Sequence, residues 1–314
     1  MSSKSKQKPA EKKSGGSHKM LTRIIVGIGC SLFAIFFLCL LGHGEGRWIG
    51  LVISAVGFLG MHEVLGVSGF KNKVLTAIMM IFAICMPIYY SFGIKDILEE
   101  KISGISGMIA AVYIFTVLIL MLKMYDTTRF EHVAIGLFMS FAIPLSMLTL
   151  LFTYDFMQSR SDIFSTAQGV YVVLMAMYCA WLCDTFALFI GSAFGKHKMA
   201  PKISPKKSVE GAIGGVVGTT VFALITYFIC RKFYFHADVI DTIKWWMVLI
   251  IVPCVCVMGM CGDLAASVIK RNYGVKDFGT LLPEHGGALD RVDSFLFTMP
   301  ATYVIVRFLT EVFA

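Results

Sequence analysis

This chain is built from long apolar blocks that alternate with short polar connections. A helix needs about 20 mostly apolar residues to cross the hydrocarbon core of a bilayer. Nine blocks approach or exceed this length, and they cover residues 22–42, 48–67, 74–93, 104–122, 131–153, 169–192, 209–230, 245–269 and 295–310. The second and the last of these blocks only just qualify. The sequence therefore predicts an all-α, polytopic integral membrane protein with about nine transmembrane helices.

The overall composition excludes an ordinary soluble domain. Apolar residues make up 57% of the chain and charged residues only 15%, whereas soluble domains carry about 25% charged residues. Residues 1–21 differ from the rest because they are rich in Lys and Ser, so we expect a disordered basic tail there. Transmembrane helices over 22–168 follow, and then a C-terminal transmembrane region over 169–314 with two long connections, about 193–208 and 270–294.

The distribution of Lys and Arg predicts the orientation of the chain. With the N-terminus inside, 20 of the 28 Lys and Arg residues fall in the tail or in cytoplasmic connections, and 7 fall outside. Cytoplasmic connections normally carry such an excess of positive charge. The net charge of +8 is thus explained by orientation and by attraction to anionic lipid, with no nucleic-acid partner. We expect a multi-pass protein of the inner (cytoplasmic) membrane.

Two acidic residues, Asp184 and Asp263, lie inside the sixth and eighth predicted spans. A carboxylate at this depth costs about 2.5–3.5 kcal/mol even on lenient scales, so each must face protein or water and have a partner. Asp184 could hydrogen-bond to a neighbouring helix, or it could bind a metal or a nucleotide. Asp263, Ser267 and Lys270 share one helix face because of their spacing, and they point toward the connection that follows.

The connection after the eighth span is rich in charge and glycine. It contains Arg271, Lys276, His285, Gly286, Gly287, Asp290, Arg291 and Asp293. Mg²⁺ is typically bound by one or two carboxylates together with substrate phosphates. We therefore predict a Mg²⁺ site at Asp263 and Asp290, with Asp293 and Asp184 as further candidates. Asp293 could instead cap the last helix.

The earlier long connection supplies cations at Lys196, Lys198, Lys202, Lys206 and Lys207. Ser204 and Pro205 suit the N-cap and first position of the next helix, which would put Lys206 and Lys207 in its first turn. Cations are unfavourable there unless an anion such as phosphate binds at the helix N-terminus. The alternative is that these lysines only set the orientation of the chain.

The seventh predicted span begins with a stripe of glycines at Gly211, Gly214, Gly215 and Gly218. Small residues at this spacing let another helix approach closely. The stripe therefore indicates helix packing, with direct approach of a ligand as the alternative.

Several of these residues form a pattern that resembles a known family. Ser267-x-x-Lys270-Arg271, Lys276-Asp277 and Pro283-x-His285-Gly286-Gly287-x-x-Asp290-Arg291-x-Asp293 resemble the signature of the phosphatidate cytidylyltransferases (CDP-diglyceride synthetases). Two further blocks are similar to that family, Ser204-Pro205-Lys206-Lys207-Ser208-x-Glu210-Gly211 and Asp184-Thr185 with Gly191 and Gly195. The resemblance covers about 181–294 and departs from the family at Phe186, Leu188 and Ser208.

The resemblance implies that CTP and phosphatidate are converted to CDP-diacylglycerol and pyrophosphate with Mg²⁺. The catalytic residues would be Asp263, Asp290, Lys270 and Arg291, with Asp263, Asp290 and Asp293 as metal ligands. The substrate-binding residues would be Lys206, Lys207, Ser204, Ser267, Arg271, Lys276, His285 and Asp184. His285 equally suits a loop-packing role, and the family and the glycine stripe together hint at a homodimer.

Other functions fit parts of the sequence. A CTP-dependent lipid kinase, such as a polyprenol kinase, would release CDP, but the length of the 267–293 pattern argues against it. A secondary transporter would place polar residues near the membrane midplane in both halves, whereas those recognised here gather at one face of one half. A non-catalytic membrane scaffold is the remaining alternative.

Overall fold

The computed structural model describes residues 46–159, 166–233, 243–281 and 286–313. Its helices are α1 Gly46–Val67, α2 Lys73–Ser91, α3 Ile94–Lys101, α4 Ile105–Lys123, α5 Phe130–Ser159, α6 Thr166–Phe194, α7 Val209–Phe233, α8 Trp245–Asn272, α9 Leu289–Val292 and α10 Phe295–Phe313. The strands are β1 Lys198–Ala200 and β2 Ser204–Ser208.

The all-α membrane architecture is confirmed. Within the described ranges, 8 helices are long and apolar enough to cross a membrane, counting α9 and α10 together as Leu289–Phe313. These helices coincide with the last eight predicted spans, including the two weakest ones. The first predicted span, 22–42, and the basic tail lie outside the described residues.

One helix was not predicted. Helix α3 has only 8 residues, and Gly93 and Gly104 flank it in the left-handed conformation with φ of 69° and 78°. The Glu99 carboxylate accepts the backbone N–H groups of Gly104 at 2.7 Å and Ser106 at 3.0 Å. Hydrogen bonds from the side chain and backbone of Ser106, and then from Gly104, lower the pKa of Glu99. Glu99 thereby fastens the turn between α3 and α4.

The glycine stripe of α7 packs against α6. A Cβ placed on Gly211 would lie 2.7 Å from the carbonyl oxygen of Ala187, and one on Gly215 would lie 2.7 Å from that of Cys183. Because a backbone oxygen cannot swing away as a long side chain can, the two helices need glycine at these positions. The helix-packing interpretation is the one that the contacts support, so the prediction of a homodimer gains nothing from this stripe.

The predicted start of α7 was wrong. Ser204 and Pro205 belong to β2, which pairs with β1 in an antiparallel hairpin with Ser204 opposite Ala200. The helix begins at Val209, and Ser208 Oγ accepts the backbone N–H of Gly211 at 3.2 Å. The capping chemistry is therefore the expected one, but it occurs four residues later. Lys206 and Lys207 consequently lie on a strand and not in the first turn of a helix.

The connections that were predicted to be cytoplasmic meet at one end of the bundle. Asn72 Nδ2 donates to Thr128 Oγ1 at 3.2 Å, which joins the α1–α2 connection to the α4–α5 connection. Arg271 Nε donates to the carbonyl oxygen of Ile203 at 3.4 Å, which joins the end of α8 to the hairpin. This end of the bundle therefore collects the basic connections and the signature residues.

The contact between α6 and α7 generates a testable prediction for Gly215→Ala. The added methyl group meets the backbone oxygen of Cys183, and overpacking of this kind destabilises a protein by about 1–3 kcal/mol. We expect a lower midpoint of thermal unfolding for the purified protein in detergent. The control is Gly107→Ala in α4, where a Cβ meets nothing within 4 Å and the midpoint should stay or rise. Equal responses of the two variants would contradict the close approach of α6 and α7.

Candidate active site

Lys270, in the last turn of α8, stands at the centre of the candidate site. Its side chain is buried, with 8% of the residue exposed. The ammonium group lies 2.8 Å from Asp290 Oδ1 and 3.6 Å from Asp293 Oδ2, and Asp263 adds a third negative charge within electrostatic range. The predicted metal ligands thus surround a lysine, and the helical spacing of Asp263 and Lys270 brings both to this point.

Asp290 also organises the connection in which it lies. Its Oδ2 atom accepts the backbone N–H groups of Phe278 at 2.8 Å and Gly287 at 2.9 Å, while Oδ1 accepts the Lys270 ammonium. The ring of Phe278 lies over the same ammonium, with 5.1 Å from Nζ to the ring centroid. Asp290 therefore joins the two ends of the connection to α8.

A second ion pair links the hairpin to α8. The ammonium group of Lys207 on β2 contacts Asp263 Oδ2. Asp184 on α6 lies within electrostatic range of Lys207, Asp263 and Arg291, and it also interacts with Asp293. Three carboxylates from different elements, Asp184, Asp263 and Asp293, consequently lie within electrostatic range of one another. Lys207 pairs with Asp263, and Lys270 lies beside Asp293.

An open cavity of about 520 Å³ lies between α6, α8 and the hairpin. Its polar lining includes Asp184, Asp263, Lys198, Lys206, Lys207 and Ser208. Both signs of charge are present, so the cavity suits a ligand that carries phosphate groups together with a divalent cation. The hairpin places Lys206 and Lys207 there, although it does so from a strand.

Glu210 explains how the hairpin is held in place. Its carboxylate accepts the backbone N–H groups of Lys196 at 3.1 Å and His197 at 3.2 Å, and Oε1 lies 2.6 Å from His197 Nδ1. A residue of the resembling pattern is thus used to fix the base of the lysine-bearing strands.

The structure does not bring all predicted site residues to the cavity. Arg271 donates to the carbonyl oxygens of Ile203 and Val275, so its guanidinium supports the connections. Ser204 lies in β2 outside the cavity lining, and Lys276 is exposed. Ser267 is buried on α8 close to Lys270. His285 lies outside the described residues, and its role stays a prediction.

The fit to Mg²⁺ depends on which carboxylates have free oxygen atoms. In the part of the chain that the structure describes, no three acids, histidines or cysteines form a ready set of metal ligands. Asp290 is engaged by Lys270 and by two backbone N–H groups. Asp263 is engaged by Lys207 through one oxygen, and Asp263 and Asp184 both line the cavity. Asp263 and Asp184 could therefore supply only part of the ligands of a hard cation, and the remaining ligands would come from substrate phosphates.

One residue of the site was missed by the sequence analysis. Glu63 in α1 accepts the backbone N–H groups of Ala288 and Leu289, which are 225 and 226 residues away in the chain. The signal was present, because an acidic residue inside a predicted span needs a partner. The cost of an unpaired carboxylate in a membrane span applies to Glu63 as it does to Asp184 and Asp263.

The sequence model of the cytidylyltransferase family matches residues 21–309. The chain belongs to the cytidylyltransferase family. This membership confirms the resemblance found in the sequence and identifies the chain as an enzyme that transfers a nucleotidyl group.

Relatives within the cytidylyltransferase family include three bacterial proteins named phosphatidate cytidylyltransferase. The protein of Bacillus subtilis (strain 168) is 33% identical over 293 residues, which are 91% of this chain and 97% of the relative. The protein of Staphylococcus epidermidis is 29% identical over 252 residues, or 73% and 90% of the two chains. That of Staphylococcus haemolyticus is 32% identical over 151 residues, or 48% and 52%.

Proposed function

We propose that this protein is a phosphatidate cytidylyltransferase, which converts CTP and phosphatidate to CDP-diacylglycerol and pyrophosphate. The observation that carries the proposal is the cluster of Lys207, Lys270 and facing carboxylates at one end of a transmembrane bundle. A relative with this activity in its name aligns with 91% of the chain, which supports the choice of substrates.

The proposed reaction requires little base catalysis. An oxygen of the lipid phosphate attacks the α-phosphorus of CTP, a new phosphorus–oxygen bond forms, and the bond to the departing pyrophosphate breaks. The attacking oxygen is already anionic, so the main barrier is the repulsion between two polyanions. Fixed cations that line the cavity reduce this repulsion and stabilise charge on the leaving group.

Two groups of cationic side chains can reduce the repulsion between the two substrates. Lys198, Lys206 and Lys207 reach the cavity from the hairpin, where they can bind the triphosphate of CTP. Lys270 lies at the end of α8 beside Asp290, where it can hold the phosphate that reacts. Arg291 is exposed next to this position and lies within range of Asp184.

The assignment of Mg²⁺ remains part of the proposal. Asp263 and Asp184, which line the cavity, are the residues that would hold the ion, with Asp293 in electrostatic range of both. Asp290 would act mainly by orienting Lys270 and the connection. A bound Mg²⁺ would neutralise charge on the reacting phosphates. The carboxylates would supply part of its ligands and the phosphates the rest.

A second cavity suits the lipid part of the substrate. It has a volume of about 470 Å³, it lies between α5, α8 and α10, and its lining is mostly apolar. Phe278 and Leu289 line this cavity, and they come from the same connection that holds Asp290. Because the apolar cavity is continuous with the residues beside Lys270, we assign it to an acyl chain of phosphatidate.

We place the site at the cytoplasmic face of the inner membrane, with the N-terminus inside. The basic connections gather at the end of the bundle that carries the site, and the positive-inside rule assigns that end to the cytoplasm.

The first prediction on function concerns the fate of labelled phosphate. With purified protein, phosphatidate and CTP labelled at the α-phosphate, we expect the label in the lipid product. Label at the γ-phosphate should appear in pyrophosphate, and EDTA should abolish both products. Transfer of the γ-label to lipid with release of CDP would contradict the proposal and favour a CTP-dependent lipid kinase.

The second prediction concerns the apolar cavity. Ala265→Phe should displace about two methylene groups of the acyl chain, which at ~0.8 kcal/mol each raises KM for phosphatidate about tenfold. KM for CTP should remain unchanged. The matched control is Val268→Phe, which alters an exposed position of the same helix outside the cavity lining. Similar KM values for phosphatidate in both variants would exclude this cavity as the acyl-chain site.

A further inference from the structure

We propose that Glu63 is a positioning residue for nucleotidyl transfer, which holds the backbone before Asp290 and thereby sets the place of the Asp290 carboxylate. This inference rests on the proposed function. It assigns a role in the reaction to the N-terminal half of the chain, in which the sequence predicted no site residue.

The geometry of Glu63 is that of a double backbone anchor. Its side chain emerges from α1, and the residue is only 8% exposed. Oε1 accepts the backbone N–H of Ala288 at 2.8 Å, and Oε2 accepts that of Leu289 at 2.9 Å. These N–H groups lie at the start of α9 and have no acceptor within that helix. Both oxygens of the carboxylate are therefore engaged by the connection that carries Asp290.

Two glycines make room for this carboxylate. A Cβ on Gly279 would lie 2.6 Å from Oε1 of Glu63, and a Cβ on Gly287 would overlap Oε2. Neither glycine has a positive φ, so the backbone conformation does not demand glycine there. The Glu63 carboxylate occupies the space that a side chain at either position would need, so a methyl group there would push Glu63 away from its two backbone N–H groups.

The anchor is coupled directly to Asp290. Three consecutive backbone N–H groups are bound by two carboxylates, because Gly287 donates to Asp290 while Ala288 and Leu289 donate to Glu63. Phe278, which precedes Gly279, also donates to Asp290. A shift of the connection relative to α1 would therefore move Asp290 away from Lys270. Lys206 and Lys207 lie on the hairpin, whose ion pair is made with Asp263 of α8. We therefore expect binding of the triphosphate to depend little on this anchor.

The decisive variant is Glu63→Gln, which keeps the shape of the side chain but turns one acceptor into a donor that faces a backbone N–H group. We expect kcat for CDP-diacylglycerol formation to fall by about tenfold or more, with KM for CTP within about twofold of the wild-type value. In hydrogen–deuterium exchange, peptides from 276–293 should exchange faster while the transmembrane helices retain their protection.

The matched control is Glu99→Gln. Glu99 likewise accepts two backbone N–H groups, those of Gly104 and Ser106, but at the opposite end of the bundle. This variant should loosen the α3–α4 turn without a change in kcat. Equal loss of kcat in both variants would show a general loss of stability and would overturn the role of Glu63.

A double-mutant cycle with Gly279 tests the fit of the carboxylate. In the wild-type background, Gly279→Ala should reduce kcat strongly, whereas in a Glu63→Ala background the methyl group has room and should have little further effect. Multiplicative losses, or a kcat for Glu63→Gln within about twofold of wild type, would contradict the proposal.

Failure of the proposed function gives a different result. If the wild-type protein forms no CDP-diacylglycerol, the proposed function is contradicted. The hydrogen–deuterium exchange of peptides from 276–293 then decides whether Glu63 anchors the connection. Unchanged exchange there in Glu63→Gln would overturn the anchor, and faster exchange would support it.

Discussion

The arrangement of the site depends on the contacts of the buried Lys270 ammonium group with carboxylates. This group lies between Asp290 and Asp293, with Asp263 in electrostatic range. A buried charge without a partner is strongly destabilising, and removal of one member of such a pair typically costs about 3–5 kcal/mol. Lys270 therefore requires that the connection returning from α8 place its carboxylates at this point. The second ion pair, Lys207 with Asp263, then brings the hairpin to the same place.

The two halves of the chain share the work of holding this arrangement. Asp290 accepts the backbone N–H groups of Phe278 and Gly287. Glu63, on α1, accepts those of Ala288 and Leu289. Farther along the bundle, Ile49 and Ile53 of α1 pack in one core cluster with Phe295 and Met299 of α10. The membrane-spanning helices therefore do more than link the connections, because the packing of α1 against α10 fixes the position of Glu63 relative to the connection that carries Asp290.

The sequence predicted those features that depend on local chemistry. The length of the apolar blocks was sufficient to predict the eight spans that the structure describes. The free-energy cost of a carboxylate in the hydrocarbon core identified Asp184 and Asp263. The hairpin was missed because both Ser204 and Ser208 can cap a helix, and pairing with β1 decides between them. Glu63 was missed because its partners lie 225 and 226 residues away, and only the fold brings them together.

A double-mutant cycle on Lys270 and Asp290 tests the central contact most directly. CDP-diacylglycerol formation would be measured for Lys270→Met, Asp290→Asn and the combined variant in purified protein. If the pair acts as one unit, each single change removes most of the activity and the combined variant loses little more than the more damaging single change. Losses that multiply would show that the two residues act independently and would contradict this account of the site.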